Sequence, residues 1–268
     1  MSMTFRCHGT AVLALLCSGS LVAEAARAAD RQDANVGQSI AHPLSRFDLR
    51  VRYMAFAGGS DAELVEARLE HPFSLAAGWK LNTRVVIAGW VTDFPSRDNR
   101  NGDYSAGIGD LATQLFLIAP SAGETTIGFG LRNSFPTAGA DQFGRGKYRV
   151  APLLVIQRTA NWISPGSFYG LGVRNDFSIA GDHGHRKINE LQLVPIMTVM
   201  LPRQSFITLF PEIVLDWELD NRVFLPFDLE VGRKYTTNQA ASVRLQLPLI
   251  NELHNYEWTM ELRWSMFF

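Results

Sequence analysis

Cysteine is nearly absent: the 268 residues include two, Cys7 and Cys17. Both fall in a stretch that reads as a secretory leader. Arg6 gives a basic start, Ala11 to Val22 an apolar core, and Ala26-Arg27-Ala28 a small-x-small cleavage pattern. Leu16 ahead of Cys17 is not the small residue that lipoprotein processing prefers. Removal of residues 1–28 is expected to leave a mature chain with no thiol, no disulfide and no cysteine-held metal. Long apolar runs are missing as well. Past the leader no segment approaches the ~18 consecutive apolar residues that mark a spanning helix. Charge of one sign is lacking, with 25 Lys+Arg against 26 Asp+Glu. That balance removes the basic footprint of a nucleic-acid partner. There is no Gly-x-Ser-x-Gly elbow, no phosphate loop and no HExxH.

What the chain has is a period of two. Its last thirteen residues place Tyr256, Trp258, Met260, Leu262, Trp264, Met266 and Phe268 on one face of a strand. Glu257, Thr259, Glu261, Arg263 and Ser265 take the other. Phe47, Leu49, Val51 and Tyr53 alternate in the same way with Asp48, Arg50 and Arg52. Ile207, Leu209, Ile213 and Leu215 oppose Thr208, Glu212 and Asp216, and Val243, Leu245 and Leu247 oppose Ser242, Arg244 and Gln246. Charges in mid-strand, strand after strand, suit a water-filled lumen or an ordinary solvent face. The leader and the terminal Phe268, which resembles the assembly signal of bacterial outer-membrane proteins, decide for the lumen.

Twelve strand-length segments lie between Phe47 and Phe268, each close to the ~9–11 residues that a tilted strand needs to cross a bilayer. Their cores are 47–56, 63–73, 80–91, 108–118, 125–135, 147–158, 168–179, 188–200, 205–217, 223–233, 240–247 and 256–268. Ser74–Trp79, Ala119–Glu124 and Leu201–Gln204 are short turns, whereas 93–107, 136–146 and 180–187 are longer and polar. Short periplasmic turns and longer outer loops are the outer-membrane pattern. The expectation is an all-β, closed, antiparallel transmembrane β-barrel of about twelve strands spanning residues 47–268, behind a periplasmic tail or partial plug at 29–46. Trp79, Trp90, Trp162 and Trp217 fit interfacial girdles.

Function is then sought on the inward face. Candidate lumen-lining residues are Arg50, Arg52, Arg68, Arg84, Arg132, Arg149 and Arg174 on the first seven strands. On the last five they are Glu190, Glu212, Asp216, Asp228, Glu230, Arg244, Glu257, Glu261 and Arg263. Lys80, Lys147, Asp48, Glu66, Glu70, Asp110 and Asp176 share these faces. The basic excess of the early strands and the acidic excess of the late ones would set a transverse field across the lumen, or else pair off directly. Asp182-His183-Gly184-His185 reads as a solvated loop, and no metal or other cofactor is expected.

Several phrases occur in a telling order: Gly107-Ile-Gly-Asp110, Phe135-Pro-Thr-Ala138, Gly146-Lys-Tyr148, Phe177-Ser-Ile-Ala-Gly-Asp182, Pro211-Glu-Ile-Val-Leu-Asp-Trp217 and Leu225-Pro226. Their spacing resembles the outer-membrane family described as the MetA-pathway of phenol degradation, over roughly Phe73 to Phe268. After Leu225-Pro226 the chain departs from that family's glycine-rich pattern. The resemblance implies a barrel in the Gram-negative outer membrane that passes small molecules, aromatic or hydrophobic ones among them. Expected partners are membrane lipid, the assembly machinery (through the strand ending in Phe268) and a small solute. A structural barrel with a plugged lumen is the alternative. An outer-membrane lipase would need a Ser–His pair near the lipid interface, and His71 and His254 are the histidines near strands.

Overall fold

A computed structural model of the protein describes residues 35–268. The expected leader and its two cysteines lie outside the described residues. The 14 ladder segments of the sheet make twelve wall strands, because two strands are each interrupted once. They are β1 (Arg46–Ala55), β2 (Asp61–Ser74), β3 (Lys80–Thr92), β4 (Ser105–Ile108 and Leu111–Ile118), β5 (Thr125–Phe135) and β6 (Lys147–Thr159). The wall continues with β7 (Phe168–Gly181), β8 (Asn189–Leu201), β9 (Ser205–Leu209 and Ile213–Asp216), β10 (Arg222–Thr236), β11 (Gln239–Asn251) and β12 (Trp258–Phe267). All neighbours pair antiparallel, and β12 pairs with β1, Leu262 opposite Val51. Closure leaves no sheet edge, which is what lets strands cross a bilayer. Among the described residues no helix is long and apolar enough to cross a membrane.

The two interruptions have local causes. Gly109-Asp110 carries β4 past a break, with Gly109 N–H donating to Ala88 O at 2.8 Å. In β9, Pro211 brings no N–H to the ladder, so pairing lapses between Leu209 and Ile213. In β10 the register shifts at Leu225/Pro226, the place where a strand tolerates proline.

Burial divides each strand by parity. Asp48, Arg50, Glu70, Glu190, Asp228, Glu230, Glu261 and Arg263 are buried, while Leu49, Val51, Leu69, Leu209, Val243, Leu245 and Leu262 are exposed. In a closed barrel the buried parity is the inside, so the charged face lines the interior and the apolar face forms an outer belt. Aromatic residues mark both rims. Phe47 with Trp264 and Trp79 with Phe129 sit at the end bearing the chain termini, Tyr53 with Trp258 at the other. Trp90 departs from the expected girdle. It packs inside, against the buried cluster of Met54, Ala62 and Leu64, and over Gly109.

Candidate functional site

A charge carried into a narrow interior needs a counter-charge or water, and strand register supplies partners here. Register sets Arg50 beside Glu66 on β2 and Arg52 beside Glu261 on β12. Arg50 lies 3.4 Å from Asp48, 3.5 Å from Glu261 and 3.7 Å from Glu66. Arg52 Nε donates to Glu261 at 2.9 Å. Glu70 takes Arg46 at 2.9 Å and Arg84 at 2.6 Å, and Arg68 meets Glu66 at 2.8 Å. Farther round the wall, Arg244 Nε and Gln246 Nε2 donate to Asp228 at 2.8 and 2.7 Å, with Arg244 over the ring of Phe210. Arg263 pairs with Glu230 and Arg149 with Asp176. Arg174 reaches Glu212 at 2.8 Å. Glu190 and Asp216 are met by loop arginines: Arg145 reaches Glu190 at 2.8 Å and Arg186 reaches Asp216 at 2.7 Å.

Of the two arrangements expected, this is direct pairing rather than opposed arcs. Neighbouring strands neutralise most of the charge along the wall, because adjacent inward side chains are nearer to one another than to the far side. Two residues of the last strand also move. Glu257 lies ahead of β12 and is exposed, its N–H donating to Ala55 O at 2.7 Å, so it stands at the mouth rather than on the wall. Tyr256, assigned by alternation to the outer face, packs edge-to-face with the buried Phe224, ring centroids 5.0 Å apart. Alternation fails at both for one reason: the strand begins at Trp258.

Arg132 is the exception among the inward arginines. It projects half-buried from β5, and its side chain forms no hydrogen bond or ion pair among the described residues. Its neighbours across the ladders are Gln114 and Ala151, neither of them charged.

The barrel's two ends differ. At the end bearing the chain termini, residues 35–45 enter the bore. Val36 packs on Met200 and Phe206, and Gln38 accepts from Thr208 Oγ1 at 2.7 Å and donates to Glu230 at 3.2 Å. Ile40 N–H donates to Gln157 at 2.9 Å, and Lys80 Nζ donates to Ala41 O at 3.4 Å. The segment thereby touches β3, β6, β8, β9 and β10 in turn. The stretch has no clean alternation, and no simple signal in it names Gln38. At the opposite end, the loops after β3, β5 and β7 are joined by Arg97. Its Nη2 donates to Asp182 at 2.8 Å, and it also binds Asp141. His185 lies 3.1 Å from Asp182 and 3.3 Å from Asp141. The Arg97 guanidinium holds the Asp141 and Asp182 carboxyls below the ordinary carboxylate range, with the Gly184 N–H adding to the effect on Asp182. A 340 Å³ cavity opens beside this cluster, lined in part by Asp98, Asp110 and Pro136.

The structure also brings a serine and a histidine together. Ser45 Oγ and His71 Nδ1 are 2.8 Å apart on the outward, exposed side of the terminal rim. Among the described residues no carboxylate or amide hydrogen-bonds the other ring nitrogen, so the orienting third group of a hydrolase is missing.

No protein-family model matches the chain, and no curated protein matches it in sequence. Solved structures do match in fold. The COG4313 outer membrane channel from Pseudomonas putida F1 superposes with a TM-score of 0.68 at 12% identity, over 87% of this chain and 99% of that one. The NanC porin superposes with a TM-score of 0.54 at 11% identity, over 83% of this chain and 98% of the other. Outer membrane phospholipase A from Escherichia coli superposes less well, with a TM-score of 0.47 at 12% identity, over 89% of this chain and 97% of that one. These likenesses define a fold, that of outer-membrane channels and porins. With its apolar belt, the chain is a transmembrane β-barrel of that fold.

Proposed function

We propose that the protein passes small molecules across the outer membrane through the charge-lined interior, by passive or facilitated movement. The observation that carries this reading is the inverted burial of the strands. A row of ion-paired arginines and carboxylates runs inside a wall whose outside is apolar. Such pairs make a hydrated, structured route rather than a greasy core. The fold shared with an outer membrane channel and a porin supports the reading. Aromatic or hydrophobic cargo follows only from the sequence resemblance to the phenol-degradation family. Membrane lipid around the belt and assembly through the strand ending in Phe268 belong to the same proposal.

The structural alternative, a plugged barrel, draws on residues 35–45 lying across one end of the bore. Planar-bilayer conductance of the purified mature protein separates the two. Discrete channels whose ion selectivity shifts on charge reversal at Arg50, Arg52, Glu212 and Asp216 are expected. No conductance, together with solute uptake unaffected by deleting the gene, would favour the plug. Lipid hydrolysis abolished by Ser45→Ala would favour an enzyme.

A further inference from the structure

We infer that Arg132 is the anchor of an anion subsite in the lumen, fitted to a small carboxylate with an apolar body. This deepens the passage reading and rests on it.

Three observations converge on Arg132. First, the inward faces of β4, β5 and β6, from Ala112 through Gln157, carry no carboxylate within the strands. Second, the arginines on either side have acceptors of their own, Arg84 also donating to Gln114, beside Arg132, at 3.5 Å. Arg84 turns to Glu70 on β2 at 2.6 Å and Arg174 to Glu212 on β9 at 2.8 Å. The strongest charge interactions that Arg132 feels come from those two cations, ahead of Glu212 and Glu66. A guanidinium with five donors and no acceptor is therefore held among like charges, facing the bore. Third, the wall beside it is apolar. One step along β5, Gly130 sits between Phe116 and Leu153; one step further, Gly128 sits between Ile118 and Val155. Both glycines bring no side chain, and the ring of Phe116 lies across Gly128.

A guanidinium fork matches a carboxylate in plane and spacing. An anion whose charge met Arg132 would lay its carbon body along Phe116, Leu153 and Val155. A fully hydrated inorganic anion would use the charge and ignore the strip. A neutral aromatic would use the strip and leave Arg132 unpaired. The carboxylate that carries an apolar group uses both.

The probe is benzoate, with benzamide as its neutral analogue and acetate as its truncated one. Binding is measured by calorimetry on the purified barrel in detergent, and selectivity by reversal potential in a planar bilayer under a KCl gradient. The expected order is benzoate over acetate over benzamide, with anions preferred to cations. Arg132→Gln should weaken benzoate at least about tenfold, the scale of a lost charge-assisted pair. It should also move the reversal potential toward cation preference. Arg132→Lys, which keeps the charge and loses the fork, should fall between. Heat-modifiable gel migration shows that each variant is folded. Benzoate binding untouched by Arg132→Gln, or benzamide binding as well as benzoate, overturns the subsite while leaving passage intact. Benzoate binding that depends on Arg132 in a barrel without conductance upholds the subsite and overturns passage.

Discussion

Asp48 and Leu49 are neighbours in β1 and live in opposite solvents. Asp48 is fully buried, held by Arg46, Arg50 and the Ser265 hydroxyl, whereas Leu49 is 39% exposed on the belt. In a water-soluble domain the two burials would be exchanged. The comparison holds round the wall, at Glu261 against Leu262 and at Arg244 against Leu245. It teaches that each face is matched to its own medium, lipid by hydrocarbon and the bore by paired charge. Neither face is a core in the ordinary sense. The inward pairs hold the wall together strand to strand, and the outward residues hold the wall in place.

The sharpest way to break this contrast is to remove an inward charge and strand its partners. Asp48→Ala leaves Arg46 and Arg50 each short of one neutralising group and should cost ~3–5 kcal/mol, the scale of a broken buried pair. Urea titration of the refolded barrel in lipid vesicles measures it. Next comes the outer face. Leu245→Arg at mid-belt should cost ~2–4 kcal/mol, whereas Val155→Arg, on the inward face, should cost much less. Equal costs in the same titration would remove the facing assignment.

A smaller effect concerns the loops rather than the wall. Asp141 and Asp182 have folded-state pKa values depressed by Arg97, so the folded state binds fewer protons than the unfolded one. The stabilisation from Arg97 is therefore complete above the ordinary carboxylate pKa near ~4 and is lost as pH falls through the depressed values. Hydrogen-exchange protection in residues 93–104, 136–146 and 182–188, taken relative to the intrinsic amide rate at each pH, should fall in acid. In Arg97→Gln the protection should already be low at neutral pH and should change less with acid. The smallest change is expected at Ser45→Ala, within about 0.5 kcal/mol, as for a surface position.

Much of this was legible in the sequence. All twelve strands fall where alternation put them, because a half-buried strand in either medium keeps a period of two. The β4 and β9 interruptions each sit inside an expected segment, since Gly109-Asp110 and Pro211 break hydrogen bonding without resetting parity. What stayed hidden depends on distance through space. The partner of Arg174 is Glu212, 38 residues away and two strands along the wall, and the solitude of the Arg132 side chain appears only when its neighbours are known. Gln38 was hidden for a different reason: a bare amide in an irregular segment announces nothing until the bore it enters exists. Tyr256 shows the limit of parity, which fails at the mouth of a strand, whereas Trp90 keeps the inward parity of β3 and departs only from the girdle position expected of a tryptophan.

The central claim is that consecutive residues of one strand face lipid and lumen in turn. With the leader removed no cysteine is expected to remain, so single cysteines can be introduced at positions 259 to 264 of β12 and carry nitroxide labels. Oxygen collisions report lipid, and a water-soluble nickel chelate reports the aqueous side. Met260, Leu262 and Trp264 positions should be oxygen-accessible in vesicles, and Thr259, Glu261 and Arg263 positions shielded from it, with a period of two. Uniform accessibility along the six positions, or the opposite phase, would contradict the account.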